Sequence, residues 1–250
     1  NAWEFRIWPY LWQGGSNVAP LDLPPRDFPF APMYGINNKG WITGIFDASA
    51  VIFKGPGNIE TIAHGPAGWG WFPSDINSRG DVVGRGEHVY NGERVAFVYM
   101  DGVKTDLTSV GMYDANAINY LRQVAGGCSV AAPDGGTEGR ACVYAGGRAV
   151  PLPGRMLRGS RAVDLNNKGQ VVGWYTKPGA PFVQGFLHQR GVNTDLGPWL
   201  PESINGSGTI VGNRPVKGST RIPFVRTGGR VYELRSLVHN LGDFVPNYAK

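Results

Sequence analysis

The residues able to do chemistry are few. Histidine occurs four times, as His64, His88, His188 and His239, and cysteine twice, as Cys128 and Cys142. The chain carries no Gly-x-Ser-x-Gly elbow, no phosphate-binding glycine loop, no His-Glu-x-x-His pair and no EF-hand loop. Three carboxylates share a pattern. Asp75 and Asp164 each stand directly before an apolar-Asn pair, and Glu202 stands one residue further back from another. Gathered near a common axis, they could serve acid–base chemistry or hold a cation. The reading preferred for them is the polar lining of a water-filled channel. They are the weak catalytic candidates; no residue is assigned a catalytic role, and no cofactor or metal is implied.

A second group is aromatic and basic. Trp69 and Trp71 alternate with Gly68 and Gly70, which reads as loop rather than strand. With His64, Arg85, His88, Trp174, Tyr175, Trp199 and Arg214 they fall in segments that vary between otherwise repeated stretches. Indole rings stack on the apolar faces of sugars, and guanidinium groups attract anions. These nine residues are the candidate ligand-binding face. His188 stands where Tyr99 and Tyr144 stand in other copies, and reads as a packed strand residue.

A repeat positions these residues. One pattern recurs five times: a branched residue, Asn, a turn usually ending in Gly, an apolar pair, then Gly. It begins at Ile36, Ile76, Ile118, Leu165 and Ile204, at spacings of 40, 42, 47 and 39 residues. Asn bonds its own backbone two residues on, and Gly supplies positive φ, so each copy reads as a tight hairpin. The third copy has Arg122 at the Gly position, which predicts a slightly strained turn or one of another type. The closing glycines, Gly44, Gly84, Gly126, Gly173 and Gly212, read as the ends of second strands. A second hairpin follows each time, as at Ala96-Phe97-Val98-Tyr99 and Gly185-Phe186-Leu187-His188.

Four short strands in roughly 40–45 residues is the period of a β-propeller blade. The expected architecture is therefore all-β: one propeller domain of four-stranded antiparallel blades over 1–250, with repeats starting near 33, 73, 115, 162 and 201. A further second hairpin opens the chain as a half blade over 3–24. Six blades with one incomplete is the favoured count, and five the alternative.

Composition agrees. With 38 Gly and 19 Pro the chain cannot be a helical bundle, and with 12% aromatics it is not a disordered one. The formal charge is +5, which favours acidic partners. The basic residues are dispersed, so nucleic acid is not expected. No apolar run is long enough to span a membrane. The chain opens at Asn1 without a signal-peptide pattern, and reads as a mature or excised piece.

The units resemble the HAF family of extracellular bacterial repeats. The resemblance runs from about Tyr10 to Leu237 and is clearest at Asp195-Leu196-Gly197, Val82-Val83-Gly84 and Ala96-Phe97. It departs at Arg122, and before the Ala-Phe pair, where Val95, Gln184 and Ile222 stand at or near the place of a His. It implies an exported, propeller-like protein at the cell surface or outside the cell, and no defined reaction.

Cys128 and Cys142 flank the turn signal Asp134-Gly135-Gly136. As cross-strand neighbours they would form a disulfide, which suits an oxidising compartment; the alternative is two buried thiols. Three functions stay open. The first is a non-catalytic binding module whose loop face holds a glycan or acidic polymer. The second is a structural or protein-interaction scaffold that pairs with another chain through an open blade edge. The third is a polysaccharide hydrolase or lyase using the acidic residues at a channel mouth.

Overall fold

The computed structural model describes residues 10–12, 18–20, 32–46, 49–64, 68–154, 157–216 and 221–237. A two-stranded pair comes first, β1 (Tyr10–Trp12) with β2 (Val18–Pro20). Five four-stranded sheets follow. Sheet I holds β3 (Met33–Ile36), β4 (Ile42–Phe46), β5 (Ser49–Phe53) and β6 (Ile59–Ala63). Sheet II holds β7 (Trp69–Ile76), β8 (Val82–His88), β9 (Arg94–Met100) and β10 (Val103–Asp106). Sheet III holds β11 (Met112–Ile118), β12 (Val124–Ala131), β13 (Thr137–Ala145) and β14 (Arg148–Pro151). Sheet IV holds β15 (Ser160–Leu165), β16 (Val171–Tyr175), β17 (Gln184–Gln189) and β18 (Val192–Gly197). Sheet V holds β19 (Leu200–Ile204), β20 (Ile210–Pro215), β21 (Arg221–Thr227) and β22 (Arg230–Glu233).

Every sheet is antiparallel with its strands in chain order, the blade pattern that the repeat predicts. Five four-stranded sheets fit the alternative blade count rather than the favoured six. Among the described residues the β1–β2 pair gains no further strand, and most of 3–24 lies outside them. The chain divides into two compact units, residues 1–108 with sheets I and II, and residues 109–250 with sheets III to V.

The repeated Asn closes each first hairpin with its side chain. Asn37 Oδ1 accepts the N–H of Lys39 at 2.9 Å and of Trp41 at 3.0 Å. Asn166 does the same for Lys168 at 3.0 Å and Gln170 at 3.1 Å. The turn then needs a left-handed residue. Gly40, Gly80, Gly169 and Gly208 take it at φ 74, 99, 72 and 90°, and Arg122 takes it at 62°. The strain expected at Arg122 is present, at about 1–2 kcal/mol for a side chain in that region.

The same Asn residues also tie neighbouring blades together. Asn37 Nδ2 donates to the Asn77 carbonyl at 2.9 Å, Asn119 to that of Asn166 at 3.1 Å, and Asn166 to that of Asn205 at 2.9 Å.

The closing glycines do not end the second strands. Gly84 lies within β8, and Gly126 within β12. Each faces a bulge in the first strand, where the register slips between Pro73 and Asp75, Ala115 and Ala117, Ala162 and Asp164, Pro201 and Ser203, and Met33 and Gly35. The bulge presses a main-chain carbonyl onto the glycine. A Cβ on Gly84 would collide with the carbonyl oxygen of Phe72, one on Gly126 with that of Asp114, and one on Gly173 with that of Arg161.

The repeated Phe of the third strand fills the core: Phe97, Phe186 and Phe224 are fully buried. Cys128 and Cys142 form a disulfide with Cα atoms 5.9 Å apart. The two residues are not directly opposed. Cys128 pairs with Arg140 and Cys142 with Gly126, so the bridge runs diagonally. The hairpin turns about Asp134, one residue earlier than a symmetric placement requires, and Cys128 lies inside β12 rather than beyond it.

Candidate functional site

The aromatic pair of sheet II is on a strand, not in a loop. Trp69 opens β7 and faces His88, and Trp71 faces Gly86. The glycines between and opposite them make room for rings. A Cβ on Gly70 would stand 2.9 Å from the Phe72 ring, and one on Gly86 2.9 Å from the Trp71 ring. Trp71 therefore lies across bare backbone and meets Phe97 edge-on, with centroids 5.5 Å apart. It is 7% exposed and belongs to the core between sheets I and II.

Around this buried ring the strands assemble a cleft. Trp69 stacks beside Trp71 at 5.9 Å and 23°. His88 meets Trp69 edge-on at 5.3 Å, and Tyr90, 85% exposed, meets His88 at 5.7 Å. The Lys104 ammonium stands 3.4 Å from the centre of the Trp71 ring. Trp69, Trp71, Val95, Phe97, Lys104 and Asp106 line a cavity of about 270 Å³. Burial holds the Lys104 ammonium below the usual lysine range, against the opposing pull of Asp106. Trp71 Nε1 and His88 Nδ1 are buried with no hydrogen-bond partner among the described residues.

Repeat positions separate packing from site. Six residues before the turn Asn stand Trp71, Tyr113, Ser160 and Trp199. Trp199 meets Phe224 at 5.3 Å and 68°, as Trp71 meets Phe97, so Trp71 is a repeated packing residue. Eight residues before the Asn stand Trp69, Gly111, Arg158 and Gly197. Trp69 is peculiar to sheet II.

The other candidates disperse. Arg85 lies over the Phe72 ring at 5.2 Å and pairs with Glu87 at 3.6 Å. Phe72 and Arg85 face each other one step from the Trp71–Gly86 pair, and so point to the other side of the sheet. His64 is exposed, with Nδ1 3.0 Å from Ser49 Oγ. Trp174 is half-buried in β16. Tyr175 does not line a loop: it is buried in the core between sheets III and IV. Burial, and the hydrogen bond its hydroxyl donates to Asp195, push that hydroxyl up to about 12. Arg214 lies 4.9 Å from Trp199 and pairs with Glu233 at 3.2 Å.

Asp164 is committed to structure. Oδ2 accepts the Ser203 hydroxyl and the Ile204 N–H, each at 2.7 Å, and Oδ1 accepts the Leu165 N–H at 2.7 Å. It clamps β15 to β19. Burial raises its carboxyl above the usual range, against the pull of those three bonds. Asp75 accepts the Ile76 N–H at 2.8 Å. Among the described residues no three His, Cys, Asp or Glu side chains group as a metal site. Lys104 and Asp106 are cleft residues absent from the candidate face. Lys104 is on the outermost strand, and only the register of four strands brings it over Trp71.

No protein-family model matches the chain, and no curated protein matches it. Among solved structures it is similar to TolB from Acinetobacter baumannii, at 14% identity and a TM-score of 0.56 over 86% of this chain and 55% of that one. The fold is a β-propeller. A mutant of AofleA from Arthrobotrys oligospora also matches, at 14% identity and a TM-score of 0.44 over 81% of this chain and 71% of that one. The chain spans about half the length of the TolB chain.

Proposed function

We propose that the chain is a non-catalytic binding module that holds a glycan carrying an anionic group in the cleft of sheet II. The observation that carries this is the addition of Trp69 and Lys104 to a packing arrangement found elsewhere in the chain without them. Trp69 offers an indole face to a sugar ring, and Lys104 supplies a cation at the same spot. Asp164, whose carboxylate oxygens are both occupied, is given no catalytic role. The disulfide supports an oxidising, exported setting, and membership of HAF-type repeats is part of the same proposal. A glycan array of neutral and acidic sugars tests it. Binding that is stronger to acidic members and lost in Trp69→Ala supports the reading, and a silent array removes it.

A second reading rests on the outer strands. Val103, Val150, Val192 and Val231, on β10, β14, β18 and β22, are all exposed, and a fourth strand presents an open edge to another chain. A protein that sediments as a monomer at high concentration counts against a self-assembling scaffold.

A further inference from the structure

A second cavity, of about 280 Å³, opens between sheets III and IV in the unit of residues 109–250. Val143, Leu152, Leu165 and Val171 line it together with Gln123 and His188. The repeat shows what is absent there. Gln123 stands four residues after its turn Asn, where sheet I has Trp41. Trp41 lies over Gly80 and packs on the core between sheets I and II, which includes Ile52, Ile76 and Val82. Val143, Leu165, Gly169 and Val171 are the repeat counterparts of Ile52, Ile76, Gly80 and Val82. An aromatic ring thus fills this place in one blade junction and leaves it open in another.

The two polar groups of the cavity have fixed roles. Asn193 Nδ2 donates to the Pro153 carbonyl at 2.6 Å, an atom that can only accept. Asn193 therefore turns Oδ1 toward His188 Nδ1, 2.7 Å away, and that nitrogen must carry the proton. Nε2 is left as a bare acceptor, with no partner among the described residues. Asn119 Nδ2 donates to Gln123 Oε1 at 2.7 Å and to the Asn166 carbonyl at 3.1 Å. This leaves the Gln123 Nε2 amide as a donor without a partner among the described residues. In the next junction the counterpart amide, on Gln170, is spent on Gln189 at 2.5 Å.

We infer that this cavity is a second binding site, for a planar aromatic compound carrying a secondary amide. The ring occupies the place that Trp41 fills in sheet I. The amide N–H donates to His188 Nε2, and its carbonyl accepts from Gln123 Nε2. The site is independent of the sheet II cleft and does not rest on the glycan reading.

Acetanilide is the probe, with acetophenone as an analogue that keeps the ring and the carbonyl but lacks the N–H. Nitrogen NMR of the intact chain should show His188 protonated on Nδ1. Acetanilide should shift the His188 signals, and acetophenone should bind about tenfold more weakly. Gln123→Trp should fill the cavity from within and abolish binding. If that variant does not fold, His188→Phe keeps a ring but loses the acceptor, and should weaken acetanilide about tenfold. A proton on Nε2, no response to acetanilide, equal binding of acetophenone, or undiminished binding in a folded variant each overturns the proposal.

Discussion

The side-chain amide of Asn166 donates to the main-chain carbonyl of Asn205 at 2.9 Å, 39 residues along the chain. One side chain thus shapes its own turn and ties its blade to the next. Asn166→Asp keeps the acceptor that closes the turn but sets a carboxylate against the Asn205 carbonyl. It should cost about 1–3 kcal/mol. Asn205→Ala, at an exposed turn, should cost less. Urea midpoints of the two variants check the order.

The two glycines of each repeat should respond differently to alanine. Gly169 faces open space at φ 72°, so Gly169→Ala costs only the backbone strain, about 1–2 kcal/mol. Gly173 lies against the carbonyl of Arg161 and the ring of Phe186, and neither has room to move. Gly173→Ala should cost about 3 kcal/mol or more. Equal thermal shifts would contradict the bulge as the reason for the second glycine.

Arg122 is the natural counter-test. It holds the left-handed position at φ 62°, where four other copies use Gly. Arg122→Gly should raise stability by about 1 kcal/mol, and denaturant unfolding reads it directly.

The Tyr175 hydroxyl gives a pH dependence with a definite sign. Burial and its bond to Asp195 raise its pKa from the ordinary tyrosine value of 10.0 to about 12 in the folded chain. Its contribution is therefore fully present below pH 10 and lost as pH rises through about 12. Tyr175→Phe should cost about 1 kcal/mol at neutral pH. The gap to the unsubstituted chain should close in the alkaline range, as followed by urea unfolding across pH.

Much of this fold is legible in the residues. The Asn turn, the blade period, the strain at Arg122 and the cysteine pair all follow from residue type and spacing. The rest depends on main-chain atoms that no residue type reports. The closing glycines read as strand ends in the sequence because the carbonyl pressing on them belongs to a bulge about a dozen residues upstream. Trp69 and Trp71 read as loop in the sequence because Gly68 and Gly70 are turn formers, whereas in the fold Gly70 and Gly86 leave space for rings. The sequence does not report that Tyr175 is buried, because its partner Asp195 lies two strands further on, nor that Lys104 reaches Trp71, which it does only across the sheet.

The repeat also predicts which indole binds and which one packs. Trp71→Ala should cost about 3–5 kcal/mol, since its ring is buried against Phe97. Trp69→Ala should cost less and remove binding. Melting temperatures of the two variants separate the roles.

Titration of the intact chain with an acidic oligosaccharide such as oligogalacturonate, followed by tryptophan fluorescence, tests the central claim most directly. The account predicts a saturable change that is lost in a folded Trp69→Ala variant and weakened by Lys104→Met. Unchanged binding in Trp69→Ala, or the absence of any response in the unsubstituted chain, would contradict it.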